Sequence, residues 1–449
     1  MDYLIRNATL VDEGKMYKAD VLVSGGIISR ISGAGDIDCG SATVIDASGK
    51  YLFPGIIDEH VHFRDPGLTY KADIYAESKA AVAGGVTSFM DMPNTVPQTT
   101  TQELLQQKFD IAAEKSLANF SFYIGATNDN LDEVLKTDVT KVCGIKLFMG
   151  SSTGNMLLDN DAALERLMSE APCLIAAHCE DENIIRSRTA LYRELAARGE
   201  VKADAALHPL IRNAEACYAS SAKAVALAEK TGARFHVLHV STERELSLFR
   251  GDIPLADKKI TAETCPHYLS LDDARYEDLG FAIKCNPSIK SAADREALLK
   301  ALSTGLIDTI GTDHAPHLKE EKMTGDCFTS KSGFPSIQHS LELMVEAHRA
   351  GWVSLPQIVT LMCNNPAVLY RIDRRGFIRE GYHADLAIVD LDAERTLADG
   401  TELSKCGWTP YDGWTVHSLV THTFVGGNLV YENGTFHEES RGERLSFNR

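Results

Sequence analysis

The run Asp58-Glu59-His60-Val61-His62 sets two imidazoles two residues apart inside an apolar stretch with strand character. Side chains at that spacing on a strand share one face, at a separation that suits two ligands on one cation. By itself the pair fits ordinary core or surface histidines equally well. Three more residues of ligand type end later apolar runs: His178 in LIAAHCE, His239 in HVLHVST and Asp313 in IGTDHAPH. Brought together, four imidazoles and a carboxylate would hold zinc, cobalt, manganese or iron, and such centres activate water for hydrolysis. Five donors are few for two ions, each of which takes about four or five. No second Asp or Glu ends a strand in the middle of this array, and Lys146 in GIKLFMG stands there instead. An ammonium group has no lone pair, but a neutral lysine amine can add carbon dioxide and become a carbamate with two bridging oxygens. A strand-end lysine is also readable as a substrate anchor or an interface charge.

These side chains meet only if the elements that carry them close on one another. Eight runs read as strands, at 51–63, 87–94, 119–127, 143–150, 172–180, 234–242, 259–269 and 308–317. They alternate with helical patterns such as ADIYAESKAAVAGG, NAEACYASSAKAVALAEKTG and AADREALLKALSTG, whose terminal glycines fit helix stops. Eight βα repeats predict an α/β chain folded as a (β/α)8 TIM-type barrel, with its active site at the C-terminal ends of the strands. Residues before 52 and after 376 have a different texture, short β-rich runs with Gly-containing turns, and are expected to pair into a small accessory β-sandwich domain built from both chain ends. The expected organisation is 1–51 and 377–449 for that domain and 52–376 for the barrel.

Bulk composition narrows the partners. Lys+Arg 45 against Asp+Glu 63 gives a net charge of −18, which disfavours nucleic acid or an anionic membrane surface, so an anionic substrate needs a local positive site. No run of about 18 apolar residues and no basic-then-apolar leader is seen, and a cytoplasmic location is expected. The ten cysteines are scattered singly with no CxxC pair, as reduced and mostly buried thiols would be; Cys179 and Cys265, beside candidate ligands, are read the same way. No phosphate-binding glycine loop or nucleophile elbow stands out.

Taken together, HVHFRDPG, MPNT, KLFM, HVST, TCPHYLSL and GTDHAPH resemble the amidohydrolase superfamily, and within it the dihydroorotases, over nearly the whole chain. The resemblance implies two Zn²⁺ ions per chain. His60 and His62 would bind one, His178 and His239 the other, an N6-carboxylated Lys146 would bridge them, and Asp313 would touch the first. It implies reversible opening of dihydroorotate to N-carbamoyl-L-aspartate in pyrimidine synthesis. A water shared by the metals would attack the ring amide, with Asp313 taking its proton and delivering it to the departing nitrogen.

Arg64, directly after the HxH run, is then the group for the substrate's carboxylate, which hydantoins and allantoin lack. Asn94 and His317 match positions that complete that carboxylate pocket, Asn286 one that contacts the ring, and Gly333 a backbone contact. Asn94 is also readable as a turn residue and His317 as a residue that only orients others. His267 and His314 are expected to orient ligands, and His208 and His339 to be structural or exposed. Segment 318–332 is either a lid or a solvated charged loop. KLFMGSSTGNM departs from the Asp-containing loop of many bacterial dihydroorotases and resembles the carboxylated-lysine branch shared with hydantoinases. A hydantoinase, dihydropyrimidinase or allantoinase is therefore the first alternative, and a non-catalytic scaffold on the same barrel the second. A small-molecule substrate and a homodimer complete the expectations.

Overall fold

The structure, a computed structural model, describes residues 1–33, 35–150, 158 and 160–449. The first alternating runs form β1 (Tyr3–Asp12), β2 (Lys15–Ser24), β3 (Ile27–Ser32), β4 (Thr43–Asp46) and β5 (Tyr51–Pro54). The β1–β2 hairpin turns on Glu13 and Gly14, both at positive φ (48° and 75°), the backbone that a two-residue hairpin loop favours.

Eight parallel strands follow: β6 (Ile56–Val61), β7 (Val86–Asp91), β8 (Asn119–Gly125), β9 (Gly144–Phe148), β10 (Ile175–His178), β11 (Phe235–Val237), β12 (Ile260–Thr264) and β13 (Thr309–Ile310). Each of the eight expected runs holds one of them. The barrel closes where Val61 bridges His314 and the His62 amide donates to the His314 carbonyl at 2.7 Å. Between strands, helices start where a short polar side chain can cap them. Asp73, Thr101, Asn160, Asp181, Asn213 and Ser291 each accept a backbone N–H of the first turn. The helix Ala214–Thr231 stops at Gly232, which takes the left-handed conformation (φ 74°) of a C-terminal cap.

The chain then returns to the first sheet through β14 (Leu386–Asp390), a separate pair β15 (Arg395–Thr396) and β16 (Thr415–Val416), and β17 (Leu419–Val425), β18 (Asn428–Glu432) and β19 (Thr435–Phe436). Strand β5 pairs antiparallel with β14, so both chain ends share one nine-stranded sheet. This sheet folds over its own apolar side chains, with Tyr3 of β1 edge-on to Phe424 of β17 at 5.2 Å.

Two details differ from the sequence expectation. The run 51–63 is not one strand: Tyr51–Pro54 belongs to the accessory sheet, past the expected boundary at 51. The chain switches sheets at Gly55, where a Cβ would lie 2.0 Å from the Thr87 hydroxyl. The last residues leave the accessory sheet and run along the barrel, the Phe120 amide donating to Glu443 O at 3.0 Å and the Leu445 amide to Phe120 O at 2.9 Å. Leu445 and Phe447 join Ile57, Met90, Tyr123 and Leu174 in one apolar cluster. The ligand-type residues gather instead at the C-terminal ends of the strands.

Candidate active site

Strand β6 pairs irregularly with β7, its register shifting between Asp58 and Val61, and the strand ends just before His62. Both imidazoles still reach one carboxylate: Asp313 Oδ1 lies 3.2 Å from His60 Nε2 and 3.1 Å from His62 Nε2. Asp313 follows β13 in a turn held by Asp58, whose carboxylate accepts the Thr312 hydroxyl at 2.6 Å and the Thr312 amide at 3.0 Å. Arg64, His239 and Asp313 all have left-handed φ (63°, 42° and 47°), a conformation that costs a non-glycine residue about 1–3 kcal/mol and persists where the surroundings over-determine it.

The other ring nitrogens are committed. His60 Nδ1 donates to Glu263 Oε1 at 2.8 Å and His62 Nδ1 to Asn94 Oδ1 at 2.7 Å, which leaves both Nε2 lone pairs facing Asp313. Glu263 also accepts the His239 amide at 3.0 Å, so one carboxylate ties residues of two strands. His178 turns Nε2 to Glu180 at 3.0 Å, while its Nδ1 lies 2.8 Å from His239 Nε2. Burial would raise the Glu180 carboxyl, but Arg212, paired with it, and His178 hold it down at about 2.

Burial lowers the imidazoles, His60 to about 3 and His62 to about 4, with His178 and His239 also pushed down, so all four stay neutral and keep a lone pair. Lys146 is buried over the Phe148 ring, and desolvation brings its amine down to about 8, near enough to neutrality for a free amine to be accessible.

All six expected ligands, with Arg64, Asn286 and Gly333, line one small cavity of about 30 Å³. It adjoins a cleft of about 820 Å³ walled by Arg64, Asn94, Asn286 and His317. His60, His62 and Asp313 offer three donor atoms within 4.8 Å of one another, which fits a divalent cation. The His178–His239 nitrogens sit closer than the roughly 3.3 Å that two imidazoles take on a tetrahedral zinc, so holding an ion there requires the rings to part by a few tenths of an ångström.

Several expectations change in detail. Asn94 is not a simple turn residue; it orients His62. Gly333 (φ 118°) has no room for a side chain, since a Cβ would come within 2.6 Å of Ala315 O. Its amide donates to Lys284 O at 2.9 Å. His314 does not orient a ligand side chain: its Nδ1 accepts the Ser336 and Ile337 amides and its Nε2 meets Glu77 at 2.7 Å. Among the described residues neither ring nitrogen of His267 has a hydrogen-bond partner, and the ring packs between Tyr268 and Phe334.

Segment 318–332 is solvated in part, with Lys319, Glu320, Met323, Thr324, Gly325, Thr329 and Lys331 exposed, but it is anchored at three buried residues, Lys322, Cys327 and Ser330. Lys322 is fully buried and donates to the carbonyls of Lys284 and Lys331, and Ser330 Oγ donates back to Lys322 O at 2.6 Å. Of the departing segment KLFMGSSTGNM, residues 151–156 lie outside the described residues. All ten cysteines are free, and burial pushes the Cys179 and Cys265 thiols up.

Sequence reasoning missed Asp58, Lys71, Glu180, Arg212 and Glu263. It also set aside His208, which lines the cleft with Nε2 2.7 Å from Cys285 O and 3.1 Å from Asn286 Oδ1. In the barrel, the side-chain atoms of Glu59, His236 and Glu263 form a second close donor group, with His236 turned through Nδ1 to Thr261 at 2.8 Å. Burial pushes both carboxyls up, and the charge of Glu263 adds to the shift of Glu59.

Known proteins match this arrangement over its full length. The protein named dihydroorotase from Lactobacillus johnsonii is 32% identical over 442 residues, covering 97% of this chain and 100% of that protein. The protein named allantoinase from Deinococcus radiodurans is 33% identical over 452 residues, 99% of this chain and 98% of that one. Among solved structures, the L-hydantoinase (dihydropyrimidinase) from Arthrobacter aurescens superposes with a TM-score of 0.92 at 30% identity, covering 99% of both chains. Among the described residues no helix is long and apolar enough to cross a membrane. Since the amidohydrolase family profile also matches residues 51–430, from the last strand before the barrel almost to the end of the accessory sheet, the chain belongs to the amidohydrolase family.

Proposed function

We propose that this amidohydrolase is a dihydroorotase, interconverting the cyclic amide dihydroorotate and N-carbamoyl-L-aspartate. The observation that carries the reading is Arg64. Its guanidinium is buried, opens on both the metal-site cavity and the cleft, and donates through Nε to Pro316 O at 3.2 Å; among the described residues no carboxylate pairs with it. A desolvated, unpaired guanidinium is costly unless an anion neutralises it. Lys71, Arg193, Arg212, Lys284 and Lys331 line the same cleft against one carboxylate, Glu321, in a chain of net charge −18. Such a local basic field collects an anionic ring and gives a neutral one no advantage.

His60, His62 and Asp313 would hold one divalent ion, and His178 and His239 with a carboxylated Lys146 would be the donors for a second. Bound metal supplies Lewis-acid polarisation of the ring carbonyl and acidifies water. Asn94 and Glu263 hold His62 and His60 in the ligating tautomer. Asp313 takes the proton of the attacking water and returns it to the ring nitrogen as the C–N bond breaks, and does the reverse in ring closure. Arg64 fixes the substrate through its carboxylate, and Asn286, held by His208, borders the same cavity.

The allantoinase and hydantoinase relatives favour a second reading, a neutral ring as substrate. Arg64→Met separates the two. For dihydroorotate the variant is expected to lose about 30- to 1000-fold in kcat/KM, the cost of about 2–4 kcal/mol for removing a buried charge partner. If Arg64→Met keeps full activity on dihydroorotate, the substrate assignment fails.

A further inference from the structure

His317 lies between two cations. Its Nε2 is 3.2 Å from Arg64 Nη2 and its Nδ1 is 3.1 Å from Lys71 Nζ. A neutral imidazole has one N–H and one lone pair, so it can accept from only one of these donors. The surroundings of Nδ1 decide which. Glu321 Oε2 also approaches Nδ1, but at 3.5 Å, and that oxygen already accepts the Leu318 amide at 3.1 Å while Oε1 accepts the Tyr70 hydroxyl at 3.0 Å. Lys71 is the nearer partner and can only donate while protonated. Desolvation, with the Arg64 charge, lowers it to about 8, which leaves it mainly an ammonium at neutral pH.

Nδ1 is then the acceptor and Nε2 carries the hydrogen. That N–H and the Arg64 guanidinium are two donors facing each other at 3.2 Å. An anion that accepts from both resolves the conflict, and both residues open on the cleft. We propose that Lys71 is a positioning residue that fixes His317 as an Nε2–H donor, so that His317 and Arg64 clamp one carboxylate of the substrate together. This rests on the reading of the substrate given above; what it adds is that Lys71 acts through His317. Without Lys71, His317 is free to turn its N–H to Glu321 and accept from Arg64, which satisfies the empty site and removes one donor from the anion.

The test uses the zinc-supplied full chain, selectively labelled with ¹⁵N-histidine and with His317 assigned by its loss in His317→Asn. In the wild type the His317 signals should report protonation at Nε2, without ligand and with orotate bound. In Lys71→Met they should move to the Nδ1–H tautomer. KM for dihydroorotate should then rise about 10-fold with kcat within about twofold, and Lys71→Arg should restore most of the KM. A wild-type His317 protonated at Nδ1 overturns the proposal even if no variant folds, and so does an unchanged KM in Lys71→Met. A fall in kcat and metal content together, unrelieved by arginine, shows a merely structural lysine and also overturns it. If the wild type turns over no carboxylate-bearing ring, the substrate reading fails, while the tautomer of the unliganded protein still decides what Lys71 does.

Discussion

At the scale of the residue, this site depends on groups that contact the candidate ligands from behind. Glu263 is the clearest, because one buried carboxylate accepts from His60 Nδ1 and from the His239 backbone. Glu263→Gln keeps the shape but offers one neutral oxygen in place of a carboxylate, and is expected to weaken zinc binding about 10- to 100-fold, measured by competition with a chelator; unchanged affinity would remove Glu263 from the account. The ligands themselves were legible in the sequence because each ends an apolar run, a local signal. Their supports were not. Glu263 sits 203 positions from His60, and Asp58 sits 254 from Thr312, whose hydroxyl it holds. In sequence such residues read as isolated polar positions in strands, and only closure of the barrel supplies their partners. Asn94 shows the reverse error: its motif was visible, but its contact with His62 depends on where β7 ends.

At the scale of the element, the eight strands were legible because short apolar runs alternate with capped helical patterns. The exact handover between sheets was not, since Tyr51–Val61 reads as one apolar stretch and only the close approach of Gly55 to Thr87 breaks it. The segment after β6 is fixed from outside the strand. Asp91 at the end of β7 accepts the Phe63 amide at 2.8 Å and pairs with Lys108 at 2.6 Å, both side chains being fully buried, and Lys108 also donates to Met92 O at 2.7 Å. This pair anchors the backbone between His62 and Arg64. Lys108→Met leaves Asp91 buried without a countercharge and should cost about 3–5 kcal/mol in denaturant unfolding, whereas a loss under 1 kcal/mol would show that the pair is dispensable. Segment 318–332 was read as lid or solvated loop; burial of Lys322 among backbone carbonyls anchors it at one point, a contact that composition does not reveal.

At the scale of the whole molecule, barrel and accessory segments are joined by buried charge as well as by sheet. His339, beside the helix Ser340–Arg349, meets Glu342 at 2.9 Å and Glu402 at 3.3 Å, and Arg395 clasps Glu342 at 2.7 Å. Burial would lower this imidazole, but hydrogen bonds to the two carboxylates raise it to about 9. A folded value above the unfolded one means that the protonated bridge stabilises the fold fully below about pH 6.5 and is lost as pH climbs through 9. The stability gap between wild type and His339→Gln should therefore be roughly 3 kcal/mol at pH 6 and shrink toward pH 10; a gap independent of pH would contradict it. The central claim concerns chemistry rather than stability, and one assay bears on it most directly. Purified, zinc-supplied protein is given L-dihydroorotate and N-carbamoyl-L-aspartate beside hydantoin and allantoin, with its metal content counted. Turnover of the dihydroorotate pair in both directions, with about two metals per chain, is the predicted result. Hydrolysis of hydantoin or allantoin with none of dihydroorotate would contradict it.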